Sequence, residues 1–329
     1  MDDFFPRVPP PYLLVVWTLG CIAASLLLFQ LIPRRSWIAR RKTVVITGAS
    51  SGIGAAIARQ YAKQGANLWL VARRKSNLEH ICEACQNLGA ASARAVIADV
   101  ATETGWEALR TAVEPDAVDL LVLNAGLAMG APFTTLSSRG EAMPIMKRLM
   151  DVNYIGAVGC FDACWGALRR APGGVRLLVV SSVVGLVAPP TRTGYAASKF
   201  ALKGFFDALR VELYSSERIR PTVTLAYPGA VRTEINQTRL VGSVDNSKGG
   251  SSGAVDISMD HNRSMSAEQC AQIMVRAHAR GDRAVLYSID GTFIGSVKSR
   301  LLLYLSFFFP GIADSALMAT MRAMSTKRN

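Results

Sequence analysis

Tyr195 and Lys199, in the run Tyr195-Ala196-Ala197-Ser198-Lys199, stand at i and i+4 in a stretch, 194–214, whose apolar spacing is helical. Their side chains therefore share one face. A phenol beside an ammonium titrates below its usual pKa of about 10, because the positive charge favours phenolate. Such a pair can give a proton to a carbonyl oxygen or take one from an alcohol, and Lys199 can also grip ribose hydroxyls. Ser182 follows the strand-like run 176–181 and offers a hydroxyl to the same oxygen as charge develops there, with Ser181 as the alternative. Asn153, in Asp151-Val152-Asn153-Tyr154, can hold a water that links Lys199 to solvent, although taken alone it is only a helix asparagine.

A second constellation, Thr47-Gly48-Ala49-Ser50-Ser51-Gly52-Ile53-Gly54, lies between a β-branched run at 43–47 and a helical spacing over 53–64. Glycines 48, 52 and 54 permit a tight turn and a close approach of backbone to a pyrophosphate. Ser50, Ser51 and Ile53 stand between them, where helix N-terminal amides face anionic oxygens. Strand two ends Val71-Ala72-Arg73-Arg74, without the carboxylate that many NAD-binding folds place about 20 residues on for the ribose 2′-hydroxyl. An arginine fork suits a 2′-phosphate, so the expected cofactor is NADP(H), read by Arg73 as first choice and Arg74 as second. Asp99-Val100 and Asn124-Ala125-Gly126 close the third and fourth strands, where ligands gather in open α/β sheets. Asp99 can bond the adenine amino group, and the small Ala125 and Gly126 let the backbone approach the adenosine ribose.

These residues need a scaffold that brings strand ends together. Strand-like runs at 68–72, 93–98, 120–123, 176–181, 222–226 and 284–287 alternate with amphipathic segments. That alternation predicts an α/β fold, a Rossmann-type doubly wound parallel sheet of about seven strands with helices on both faces. Ser266-Ala267-Glu268-Gln269 reads as a helix N-terminus opening a helix toward Ala279. Gly, Ser, Asn and Asp dominate 236–265, which reads as a flexible substrate loop near the reactive end of the cofactor.

Both ends are apolar and basic. Residues 1–11 form a flank, and 12–32 form an uncharged run long enough to cross about 30 Å of hydrocarbon as a transmembrane helix. A signal peptide would want a basic start and a shorter run, and Asp2 and Asp3 oppose it. The linker 33–42 carries Arg34, Arg35, Arg40, Arg41 and Lys42, against only Arg7 on the other flank, so the catalytic domain, 43–290, is expected to face the cytosol. Asn236-Gln237-Thr238 and Asn262-Arg263-Ser264 match the glycosylation pattern, which matters only for a lumenal body and otherwise arises by chance. The net charge of +13 lies largely beside the apolar ends, which points to membrane headgroups rather than nucleic acid. The tail 291–329 contains Leu301-Leu302-Leu303-Tyr304-Leu305 and Phe307-Phe308-Phe309, too short to span a bilayer; it suits a membrane surface, a core helix or a homodimer contact. The 6 cysteines are scattered, and Cys82-x-x-Cys85 has no second pair to complete a metal site.

T-G-x-x-x-G-x-G at 47–54, N-A-G at 124–126, Ser182 and Y-x-x-x-K at 195–199 occur in an order that resembles the short-chain dehydrogenases/reductases of the single-domain type, over roughly Lys42 to Tyr287. The resemblance implies that Asn153, Ser182, Tyr195 and Lys199 form a catalytic tetrad. It also implies that the segment Tyr227-Pro228-Gly229-Ala230-Val231-Arg232-Thr233 borders the cofactor, with Val231 and Thr233 at the nicotinamide carboxamide. Asp151 and Leu123 stand where the family often has asparagine, and neither is a tetrad position. The anchor, the Ala72-Arg73-Arg74 ending and the apolar tail resemble membrane-bound members, among them 11β-hydroxysteroid dehydrogenases, 3-ketosphinganine reductases and the dehydrogenase/reductase member 7 group. The implied activity is NADP(H)-dependent interconversion of a lipophilic ketone and its alcohol at a membrane such as the endoplasmic reticulum. A catalytically idle scaffold or lipid-binding protein would not need the intact tetrad. A sugar-nucleotide epimerase would favour G-x-x-G-x-x-G and a longer C-terminal domain.

Overall fold

The computed structural model describes residues 36–215, 221–236, 240 and 264–286. The expected anchor at 12–32, the tail at 291–329, most of the loop within 236–265 and the Asn262 sequon lie outside the described residues. Among the described residues no helix is long and apolar enough to cross a membrane.

The chain alternates strand and helix. It runs through β1 (Thr43–Thr47), α1 (Gly52–Ala62), β2 (Asn67–Ala72), α2 (Lys75–Asn87), β3 (Ser92–Ile97), α3 (Glu103–Val113) and β4 (Leu120–Leu123). Then come α4 (Phe133–Ser138), α5 (Ala142–Met150), a π turn (Asp151–Ile155), α6 (Gly156–Arg169) and β5 (Arg176–Val180). The rest is α7 (Thr193–Ser215), β6 (Thr222–Tyr227), β7 (Val231–Arg232), β8 (Met265–Ser266), α8 (Ala267–Ala279) and β9 (Ala284–Leu286). The main sheet has 7 strands in the order β3-β2-β1-β4-β5-β6-β9. Every pairing in it is parallel, with Thr47 opposite Val71 and Leu123 opposite Val179 in register. The order reverses between β1 and β4, which opens a crevice at the carboxyl ends of those two strands.

The continuous apolar strands follow from burial on both faces. Along β1, Val44 and Ile46 enter one core with Tyr61, Leu78 and Met274, while Val45 enters the other with Leu109, Phe161 and Phe206. Alternation by residue thus feeds two cores from one strand. The α8 start is a capping box in which Ser266 Oγ accepts from Gln269 N and Gln269 Oε1 accepts from Ser266 N, as its sequence predicts.

The helix spacing of α8 also places an imidazole in the core. His278 is fully buried, and its Nδ1 lies 3.2 Å from Thr224 Oγ1. Thr224 already donates its hydroxyl to Asp282 O at 2.7 Å, so the imidazole must donate from Nδ1. Burial first, and the Arg176 guanidinium second, pull the His278 pKa from 6.5 to about 3. Below 6.5 the unfolded chain binds a proton that the folded chain refuses, so stability present above that pH drains away as pH falls toward 3. Unfolding free energy is expected to drop by about 2 kcal/mol between pH 7 and pH 5 from this group alone. Denaturant titrations of the parent and of His278→Asn across that range check it, since the variant should lose this share of the slope; identical pH profiles would refute it.

Candidate active site

The glycine turn leaves β1 with positive φ at Gly48 (65°) and Gly52 (55°). A Cβ on Gly54 would sit 2.3 Å from Gly48 O, and one on Gly48 would sit 2.8 Å from Ala125 Cα. Backbone packs on backbone here with no room for a methyl group. Thr47 Oγ1 ties the turn to β4: it donates to Val122 O (3.3 Å) and accepts from Asn124 N (3.0 Å) and Ala125 N (3.2 Å). Asn124 Nδ2 donates back to Thr47 O (3.0 Å) and Gly48 O (3.2 Å). Both donors of that amide are thereby turned onto the loop, so Asn124 shapes the cleft from within, while Ala125 and Gly126 line the crevice.

The two arginines after β2 diverge. Arg74 Nη2 donates to Ser51 Oγ (2.7 Å) and Ser50 Oγ (3.2 Å), and Arg74 Nη1 donates to Glu234 Oε2 (2.9 Å). Arg73 Nη1 lies 3.6 Å from Asp99 Oδ2, which Arg148 Nη2 also approaches at 3.5 Å. Partial burial raises the Asp99 carboxyl, but the Ala101 N–H, Arg73 and Arg148 outweigh it and hold the group below its ordinary range. The second-choice arginine therefore sits on the serines of the glycine turn, and the first choice sits over the third strand's end. Val100 is buried, and its carbonyl accepts from Trp106 Nε1 at 2.6 Å.

Across the crevice, Lys199 is buried on α7, donates from Nζ to Val180 O at 3.0 Å and lies 5.8 Å from the Tyr195 ring centroid. Desolvation lowers its ammonium from 10.5 to about 8, which leaves it largely charged near neutrality. Asn153 occupies the π turn, fully buried. Its Oδ1 accepts from Leu127 N (2.7 Å), and its Nδ2 donates to Leu127 O (3.0 Å) and Ser198 Oγ (2.9 Å). Both amide donors are committed, so the side chain clamps the turn after Ala125-Gly126 to α7; water could use only the remaining lone pair on Oδ1. A Cβ on Gly126 would fall 3.2 Å from Asn153 Oδ1 and 3.5 Å from Lys199 Nζ, which places both groups around one bare stretch of backbone. Ser182 accepts from Val184 N at 3.2 Å and reaches Pro228 O at only 3.5 Å, whereas Ser181 Oγ points to Lys199 O (3.3 Å). Of the two serines, Ser181 thus braces the lysine's helix.

Beyond β6, Pro228 and Gly229 carry the chain to β7, where Val231 pairs with Met265. Thr233 stands against the glycine turn: its Cβ and Cγ2 lie 3.2 Å from where a Gly52 Cβ would be. The model of the short chain dehydrogenase family matches residues 42–241. The chain belongs to the short-chain dehydrogenases. Hydroxysteroid 11-beta-dehydrogenase 1-like protein A of Xenopus laevis is 32% identical over 280 residues, 84% of this short-chain dehydrogenase and 86% of the relative. Among solved structures, a short-chain dehydrogenase from Sphingobium yanoikuyae in complex with NADPH is 25% identical, with a TM-score of 0.61 over 74% of this chain and 87% of that one. A family member from Burkholderia phymatum in complex with NAD shares the fold, with a TM-score of 0.67 at 22% identity over 82% and 95% of the two chains.

Three contributors to this dehydrogenase site carry no role of their own in the sequence reading. Thr47 stands as the first residue of T-G-x-x-x-G-x-G, and Glu234 lies one residue past the segment 227–233. Ser198 could have been suspected, because it lies inside the Y-x-x-x-K motif, three residues after Tyr195, whose carbonyl it bonds at 2.8 Å.

Proposed function

We propose that this short-chain dehydrogenase is an NADP(H)-dependent oxidoreductase that reduces a lipophilic ketone, or oxidises the matching secondary alcohol. The observation that carries the reading is the convergence of Lys199 and Asn153 beside Gly126, with the Tyr195 ring centroid 5.8 Å from Lys199 Nζ. The glycine turn, with positive φ at Gly48 and Gly52 and α1 opening at Gly52, fits a pyrophosphate at the helix N-terminus, and Arg73, Arg74, Ser50 and Ser51 fit an anion on the adenosine ribose. When bound, the reduced cofactor supplies a hydride to the carbonyl carbon.

The chain's own groups then handle the proton and the developing charge. Tyr195 gives its phenolic proton to the carbonyl oxygen, and the Lys199 ammonium stabilises the phenolate left behind. Ser182, whose hydroxyl is only loosely held on Pro228 O, turns to donate to the same oxygen. Lys199 and solvent resupply the proton. Asn153 contributes mainly by holding the backbone of Leu127, and hence Gly126, against α7.

The lipophilic substrate and the membrane setting rest on the uncharged run 12–32 and on relatives named as hydroxysteroid dehydrogenases. We place the catalytic domain on the cytosolic face of the endoplasmic reticulum. A glycosidase-sensitive mass shift at Asn236 or Asn262 would overturn that orientation. The test of function is oxidation of NADPH and NADH by the purified protein against steroid, retinoid and sphingoid ketones. Turnover of at least one lipid ketone with NADPH preferred is expected; turnover of none, or an NADH preference, would reject the reading.

A further inference from the structure

Arg74 is already occupied. Glu234 Oε2 holds its Nη1 at 2.9 Å, Ser51 Oγ and Ser50 Oγ hold its Nη2, and the Ser51 hydroxyl also bonds Glu234. The carboxylate comes from the short helical turn 234–236, directly after Thr233, and reaches Arg74 across 160 residues of sequence. Thr233 itself is packed on the glycine turn, so the backbone that carries Glu234 is fixed at the same place. An anion is thus bound to the donors that a ribose 2′-phosphate would need. It also stands by the end of β2, where NAD-binding folds use an acidic residue to accept from the ribose 2′-hydroxyl. Strand two lacks that residue in Val71-Ala72-Arg73-Arg74, and Glu234 brings one in from the far side of the cleft.

We infer that Glu234 is a cofactor-selectivity residue, whose carboxylate competes with the 2′-phosphate for Arg74 and Ser51. This deepens the NADP(H) reading and rests on it. Arg74 attracts the phosphate and Glu234 moderates that attraction, so the pair together, rather than the arginine alone, sets the ratio of the two affinities. Both side chains are about half exposed, 47% and 51%, which keeps the effect modest and makes substitution at Glu234 harmless to the fold.

The experiment is a set of fluorescence titrations of NADPH and NADH on the full chain, as wild type, Glu234→Gln, Arg73→Ala, Arg74→Ala and the double Arg74→Ala/Glu234→Gln variant. Glu234→Gln is expected to raise the NADPH-to-NADH affinity ratio about fivefold, near the upper end for one exposed charge pair. Arg74→Ala should lower that ratio, and in its background the glutamine should change the ratio by less than about twofold. A ratio unmoved by Glu234→Gln overturns the inference. So does a Glu234 effect of undiminished size without Arg74, because the carboxylate would then act elsewhere. If wild type shows no NADPH preference and neither Arg73→Ala nor Arg74→Ala alters the ratio, the NADP(H) reading itself falls. A ratio that responds to arginine but not to Glu234 leaves that reading standing.

Discussion

Replacing Tyr195 by phenylalanine is expected to lower kcat about a thousandfold while leaving cofactor affinity within about threefold. Only the hydroxyl is removed, and the ring stays packed against the small core that contains Met129 and Leu136. The large expected loss follows from how few other groups could supply the proton. Lys199 is held on Val180 O, Ser181 is turned to Lys199 O, and both amide donors of Asn153 are taken. Ser182 alone keeps a loosely held hydroxyl, and an isolated serine is a poor acid near neutral pH. Steady-state turnover of a ketone substrate, paired with a cofactor titration, checks this. Unchanged turnover in Tyr195→Phe would sink the proposed mechanism, and a parallel loss of cofactor binding would mean the phenol's role is structural.

The second large effect is expected at Gly54. An added methyl would lie 2.3 Å from Gly48 O and 2.5 Å from Asn124 Nδ2, neither of which can yield without breaking the brace between β1 and β4. Gly54→Ala should therefore destabilise the fold by about 2–3 kcal/mol, as overpacking of a tight site does. It should also weaken cofactor binding by more than about tenfold, since the turn that meets the pyrophosphate has to move. Gly204 is the internal control. It lies within α7, and a methyl group added there would meet nothing within 4 Å, so Gly204→Ala should be neutral or stabilising by up to about 1 kcal/mol. Thermal unfolding and dinucleotide titration of the two variants side by side settle the matter; equal behaviour would show that the close approach at Gly54 is relaxed in solution.

Much of this molecule could be read from short stretches of chain. The strands were legible because burial on both faces makes them continuous apolar runs, and β1, β4 and β5 fall within a residue of expectation. The glycine turn and the Tyr195–Lys199 pair were legible because each is a local device, set by spacing along one turn or one helix face. What escaped was set by topology. The Arg74–Glu234 pair, the Thr47 brace and the β7–β8 pairing join segments that only the finished sheet brings together. Side-chain direction escaped as well. Asn124 has the residue type of a ligand contact, yet its amide faces inward, because the carbonyls of Thr47 and Gly48 emerge beside it and need donors.

The π turn at Asp151–Ile155 can be viewed as a phase shift between two helices. Side chains on an α-helix advance by about 100° per residue, so one extra residue in a turn resets the angular position of everything that follows. Upstream, α5 must present Leu149 to the small core around Met129; downstream, α6 must present Cys160 and Phe161 to the main sheet. Asn153 sits in the turn between the two helices, where the angular frame changes. Deleting one residue other than Asn153 from 151–155 would restore an ordinary helix and leave Asn153 chemically present. It would also aim Asn153 away from Leu127 and Ser198, losing the clamp by rotation alone.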